Sequence, residues 1–73
     1  MTSIDLKGTL TISLNYVTTK TKAQIFDSDG TLIFSSAITS LETKVNYEFP
    51  NGIYMLNILE DTKLIDSTEF VIK

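Results

Sequence analysis

The sequence predicts an all-β fold, a two-sheet antiparallel β-sandwich of six to seven short strands in a single domain over residues 1–73. Apolar residues recur with period two through most of the chain, the signature of strands with one face in a core. Clusters of Gly, Asn, Asp, Ser and Thr separate these runs at short intervals. No segment carries an apolar face at helical spacing over three turns. Two sheets are favoured over one open sheet because the strand around residues 53–59 is apolar on both sides and so calls for cover on both.

The first run alternates through Ile4, Leu6, Gly8, Leu10, Ile12, Leu14 and Tyr16, all expected to face inward. It is too long for one flat strand. Gly8 sits where an inward side chain belongs, which predicts a bulge or bend, with one sheet paired before it and the other after it. Threonine-rich 16–22 is a polar connection. Lys22 to Asp27 is the next strand, with Ala23 and Ile25 inward and Phe26 across the pleat. Asp27-Ser28-Asp29-Gly30 closes it, Gly30 taking the left-handed position of a hairpin, so that Thr31 to Ser35 returns antiparallel. After a polar link at 39–43, Lys44 to Phe49 alternates again with Val45, Tyr47 and Phe49 inward.

The longest uninterrupted strand pattern begins at Phe49-Pro50-Asn51-Gly52. Pro50 fixes its own φ and biases Phe49 toward extended backbone, and Asn51-Gly52 is a pair that tolerates positive φ. The strand that follows sets Tyr54, Leu56 and Ile58 on one side and Ile53, Met55, Asn57 and Leu59 on the other, and is expected to be central. Gly52 should hold a backbone angle costly for other residues, and Tyr54 should be largely buried. Glu60 to Lys63 has turn composition. Leu64 to Lys73 is the last strand, with Leu64, Phe70 and Ile72 on one face and Ile65 and Val71 on the other.

Composition narrows the function. A chain of 73 residues buries only roughly 60% of the surface it exposes when unfolded, so its stability is thin. With no cysteine and no histidine there is no thiolate zinc site, no cysteine nucleophile and no Ser-His-acid triad, although Ser35, Ser36, Ser40 and Ser67 are available. A net charge of -3, no arginine and no basic cluster argue against nucleic acid. No apolar run approaches the roughly 20 residues of a membrane-spanning helix, and no signal-peptide core follows Met1.

The remaining candidate sites have stronger structural readings. Asp27-Ser28-Asp29-Gly30 resembles the start of a calcium loop but lacks the later oxygen ligands and the closing Glu, so an ordinary hairpin turn is the better reading. Glu60, Asp61 and Glu69 as paired carboxylates for glycoside chemistry would need a cleft that so small a sandwich has little room for. Tyr16, Tyr47 and Tyr54, at inward parity, read as core rings rather than carbohydrate platforms. No cofactor, metal site or catalytic residue is assigned, and the chain is read as non-enzymatic.

Three stretches, Ala23-Gln24-Ile25-Phe26-Asp27-Ser28-Asp29-Gly30, Phe49 through Ile58, and Phe70-Val71-Ile72-Lys73, together resemble the immunoglobulin-like C-terminal sorting domains of the Bacteroidetes type IX secretion system. In that family an I-Y-D-x-x-G hairpin is followed by a G-I-Y strand and a terminal strand ending in lysine. The resemblance implies an immunoglobulin-like sandwich, a secreted or surface protein that passes through the periplasm, and a protein partner in the secretion machinery or at the surface. It singles out Asp27, Gly30, Gly52, Tyr54, Phe70 and Lys73 as motif residues, structural or sorting. Small secreted Bacteroides sandwich proteins of unknown function are similar through the same hairpin and strand and a Glu-Phe-x-Ile ending, here Glu69, Phe70 and Ile72. That likeness keeps open a free-standing protein- or glycan-binding sandwich. Exposed sheet edges, with Pro50 as the one proline, also predict a homodimer through an edge strand, the terminal strand being the expected donor.

Overall fold

The computed structural model describes residues 3–5, 10–46 and 49–73, the first of these segments as backbone. They form seven strands: β1 (Ser3–Asp5), β2 (Leu10–Ser13), β3 (Thr21–Phe26), β4 (Leu32–Ala37), β5 (Glu42–Val45), β6 (Gly52–Glu60) and β7 (Lys63–Ile72). Two antiparallel sheets result, one in the order β1-β2-β5 and one in the order β4-β3-β6-β7. Extents of 32 × 24 × 17 Å fit two layers packed about 10 Å apart. This is an immunoglobulin-like arrangement in which the fourth strand pairs with the third.

The core lies between the layers. Leu10, Ile12 and Val45 come from the three-stranded sheet, and Ala23, Ile25, Tyr54, Leu56, Ile58, Phe70 and Ile72 from the four-stranded one. Ile38, on the segment that crosses between sheets after β4, completes it. Cross-strand register explains the selection. Ile25 pairs with Leu56 and Phe34, and Ala23 with Ile58 and Ser36, so the alternate residues of neighbouring strands form rows on the inner face.

Three turns fix the layout of the larger sheet. At the β3–β4 hairpin Gly30 takes φ 84° and its N–H donates to the carbonyl of Asp27 at 3.0 Å, a left-handed position that glycine occupies at no steric cost. The β6–β7 hairpin turns through Asp61, at φ 60°, whose N–H donates to the carbonyl of Lys20 at 2.9 Å. That bond ties the hairpin to the entry of β3. There Thr21 is buried, and its hydroxyl oxygen accepts the N–H of Thr18 at 2.8 Å. Residues 18–21 of the threonine-rich connection therefore form an internally bonded turn, closed on the buried Thr21.

Several expectations from the sequence are corrected. The first run is not one strand divided between two sheets: β1 and β2 pair with each other, Ile4 opposite Ile12, in the same sheet. Leu6, Gly8 and Tyr47 lie outside the described residues, as does the side chain of Ile4. Tyr16 is 55% exposed, because β2 ends at Ser13 and the inward parity ends with it. The fifth strand starts at Glu42, inside the stretch read as a polar link, because pairing with Thr11, Ile12 and Ser13 outweighs the polar composition of Glu42-Thr43-Lys44.

The anchor strand β6 is central, between β3 and β7, but only one of its faces is covered. Ile53 is 50% exposed and Asn57 accepts a hydrogen bond from Ser67 Oγ at 2.8 Å on the solvent side. Gly52 does not hold a left-handed angle. A Cβ there would meet the Tyr54 ring at 3.8 Å, an ordinary contact. In β7 the register shifts opposite Ile58 and Leu59, and that bulge reverses the parity of the strand's first residues. Leu64, expected inward, is 53% exposed, while Ile65, expected outward, packs on the core.

Candidate recognition site at one end of the sandwich

Antiparallel pairing carries the quoted motif stretches to the same end of the larger sheet. Phe26, the last residue of β3, pairs with Met55 near the start of β6, and Gly52 and Tyr54 pair with Ile72 and Phe70 near the end of β7. The Asp27–Gly30 turn, the Pro50–Gly52 approach and Lys73 therefore share one end.

Tyr54 organises this end. Its ring is 5% exposed and lies between two others, with centroids 5.5 Å from Phe49 and 5.6 Å from Phe70. Its hydroxyl donates to the carbonyl of Pro50 at 2.5 Å, four residues back along the chain. A tyrosine near the start of the sixth strand, bonded to the backbone just upstream, is the tyrosine corner of immunoglobulin-like sandwiches. It clamps the crossing from β5 to β6 through the backbone carbonyl of Pro50.

Asp27 acts within its own turn. One carboxylate oxygen, Oδ1, accepts the N–H of Asp29 at 3.0 Å and of Thr31 at 2.9 Å, and the Asp27 N–H donates to the Thr31 carbonyl at 3.0 Å. This is an aspartate turn of the kind that replaces missing ladder bonds with side-chain acceptors. Among the described residues no three His, Cys, Asp or Glu side chains group to hold a metal ion.

Beside this turn a shallow cleft of about 260 Å³ is lined by Asp27, Ser28, Ile53, Tyr54, Met55 and Glu69. It is smaller than the roughly 300–1,000 Å³ of small-molecule sites. Of its lining, Asp27 and Tyr54 were legible in the sequence. Ile53 and Met55 were missed as site residues, although their shared parity on β6 was the available signal, while the sequence singles out Glu69 only as a candidate carboxylate and in the Glu-Phe-x-Ile ending. Ile53 and Val71 are directly paired on the solvent face beside the cleft and are 50% and 44% exposed. A second cleft, about 350 Å³, lies at the other end among Val17, Thr18, Thr19 and Thr39 and contains none of the motif residues.

The carboxylates weighed, and set aside, as a glycosidase pair are indeed far apart. Glu60 pairs with Lys63 at one end of β7 and Glu69 with Met55 six residues along it, about 20 Å by strand rise, against less than about 10 Å for a catalytic pair.

Fold, tyrosine corner and cleft define a small immunoglobulin-like module whose motif residues are gathered at one end. The chain matches the secretion system C-terminal sorting domain family over residues 6–73 and belongs to that family, the sorting domains of the type IX secretion system in Bacteroidetes. Membership implies a secreted or cell-surface protein and contact with the secretion machinery. No curated protein and no solved structure matches the chain. No helix among the described residues is long and apolar enough to cross a membrane.

Proposed function

We propose that this domain directs an attached protein to the type IX machinery, and that the machinery reads the end of the sandwich that bears Asp27, Ile53, Val71 and Lys73. The observation that carries the reading is the convergence of three separate motif stretches, Asp27–Gly30, Gly52–Tyr54 and Phe70–Lys73, on one end in a chain of the sorting-domain family. The roles are divided by burial. Tyr54 and Phe70 hold the end rigid from within, while the exposed Ile53–Val71 pair and the carboxylates of Asp27 and Glu69 form its outer surface.

The topology supports this division of labour. Ser3 pairs with Ser13, which pairs with Glu42, so β1 begins at the end of the sandwich opposite to Lys73. A protein joined ahead of Ser3 would leave the motif end unobstructed. A sorting role also requires no reacting group, in keeping with a family whose function is sorting rather than catalysis.

The test is secretion of a reporter fused ahead of the domain in a type IX-competent host. Removal of Phe70 to Lys73 should hold the reporter in the periplasm. Because that deletion takes away two buried side chains, a paired Ile53→Asp and Val71→Asp variant is the sharper probe. It should block secretion while the isolated domain keeps its melting temperature, whereas Leu64→Asp, far from the motif end on the same strand pair, should secrete normally. Undiminished secretion after the deletion would remove the sorting role.

A further inference from the structure

We propose that β4 is a self-association edge, through which two copies of the domain join their larger sheets about a two-fold axis. Three stretches of the chain, residues 8–19, 30–41 and 49–59, run for eleven residues or more without a charged side chain. The first contains β2, the middle strand of its sheet, and the third contains β6, which is central in the other. Strands flanked on both sides need no protection. The second contains β4, which lies at an edge. Every other edge strand carries charge: Asp5 in β1, Glu42 and Lys44 in β5, Lys63, Asp66 and Glu69 in β7. Charges are what natural edges use to discourage pairing. β4 thus has the composition of a central strand in an edge position, and a second copy supplies the missing neighbour.

The backbone specifies how. Ile38 donates its N–H to the carbonyl of Thr21 on β3 at 2.9 Å, and the groups of an antiparallel strand alternate sides. Ser36 and Phe34 therefore face β3, and Ser35 and Ala37 turn their N–H and C=O away from the sheet. The register shift near Phe26 bulges Ile33 and limits regular pairing to the stretch from Phe34 on. Centred on Ser36, a second β4 sets Ser35 against the other copy's Ala37, exchanging two backbone hydrogen bonds on each side of the axis, and Phe34 against its Ile38. No like charges meet, and the operation closes at two copies.

The same alternation shows why β7, the edge expected from sequence, is the poorer donor. Its outward residues are Ser67, Glu69 and Val71, and the Ser67 N–H is already bonded to Asp66 Oδ1 at 2.9 Å. On β4 the comparable local bond, from Ser36 Oγ to the Ala37 carbonyl at 3.1 Å, occupies one acceptor with a second lone pair to offer and no donor.

Sedimentation velocity from about 10 μM to about 1 mM should show a monomer–dimer equilibrium. Ser35→Pro, at a position whose N–H makes no bond to β3, should fold and weaken dimerisation at least tenfold; Ser35→Lys, which sets a charge beside the axis without touching the backbone, should do the same. Ser36→Cys gives a chain with one thiol, at a non-hydrogen-bonded pair whose Cα atoms lie about 4.5 Å apart across the axis, within disulfide range. On mild oxidation it should cross-link at concentrations where Thr68→Cys on β7 does not. Monomer throughout the range, a dimer indifferent to Ser35→Lys, or faster cross-linking at Thr68→Cys would each overturn the proposal.

Discussion

Truncating Tyr54 should remove about a third to a half of the stability of this domain or more. The ring is buried between Phe49 and Phe70 and its hydroxyl closes the corner on Pro50, so Tyr54→Ala loses packing, two ring contacts and a hydrogen bond together. Aromatic-to-alanine changes in cores cost about 3–5 kcal/mol. A domain of 73 residues has only about 4–11 kcal/mol in total. Tyr54→Phe separates the terms: it keeps the ring and loses the phenol, for about 1 kcal/mol and a fall in melting temperature of about 4–8 °C. The assay is equilibrium unfolding in guanidinium chloride, followed by far-UV circular dichroism, on the wild type and both variants. Tyr54→Ala should unfold below the wild-type midpoint by several-fold more than Tyr54→Phe, or be unfolded in buffer. A cooperative Tyr54→Ala within about 1 kcal/mol of wild type would refute the view that this corner holds the sandwich together.

The two glycines of the motif stretches should respond differently. Gly30→Ala forces a side chain into the left-handed region and should cost about 1–2 kcal/mol by thermal melting, although nothing lies within 4 Å of the new Cβ. Gly52→Ala, with extended backbone and a 3.8 Å contact to the Tyr54 ring, should be neutral or slightly stabilising. The β7 bulge makes a similar paired prediction: Leu64→Ala should change stability by less than about 0.5 kcal/mol, and Ile65→Ala should cost about 1–2 kcal/mol, the reverse of what simple alternation implies.

The sequence alone determined the fold class, the β3–β4 hairpin, the centrality of β6 and the burial of Tyr54, Phe70 and Ile72. These rest on local physics: period-two patterning, the aspartate turn ending in Gly30, and apolar parity within a single strand. The motif residues were also named from sequence, through family resemblance, but their convergence on one end follows from strand order. Tertiary structure decided what parity could not. Whether β1 and β2 share a sheet, and whether Glu42 begins a strand, depends on which strand lies alongside, because ladder hydrogen bonds come from a neighbour distant in sequence. The exchange of Leu64 for Ile65 follows from one extra residue in β7 relative to β6, invisible until the two are paired. The outer face of β6 stands open for the same reason: Ile53, Met55 and Leu59 look like a second buried face in one strand, but burial belongs to layers, and no third layer packs on this side among the described residues.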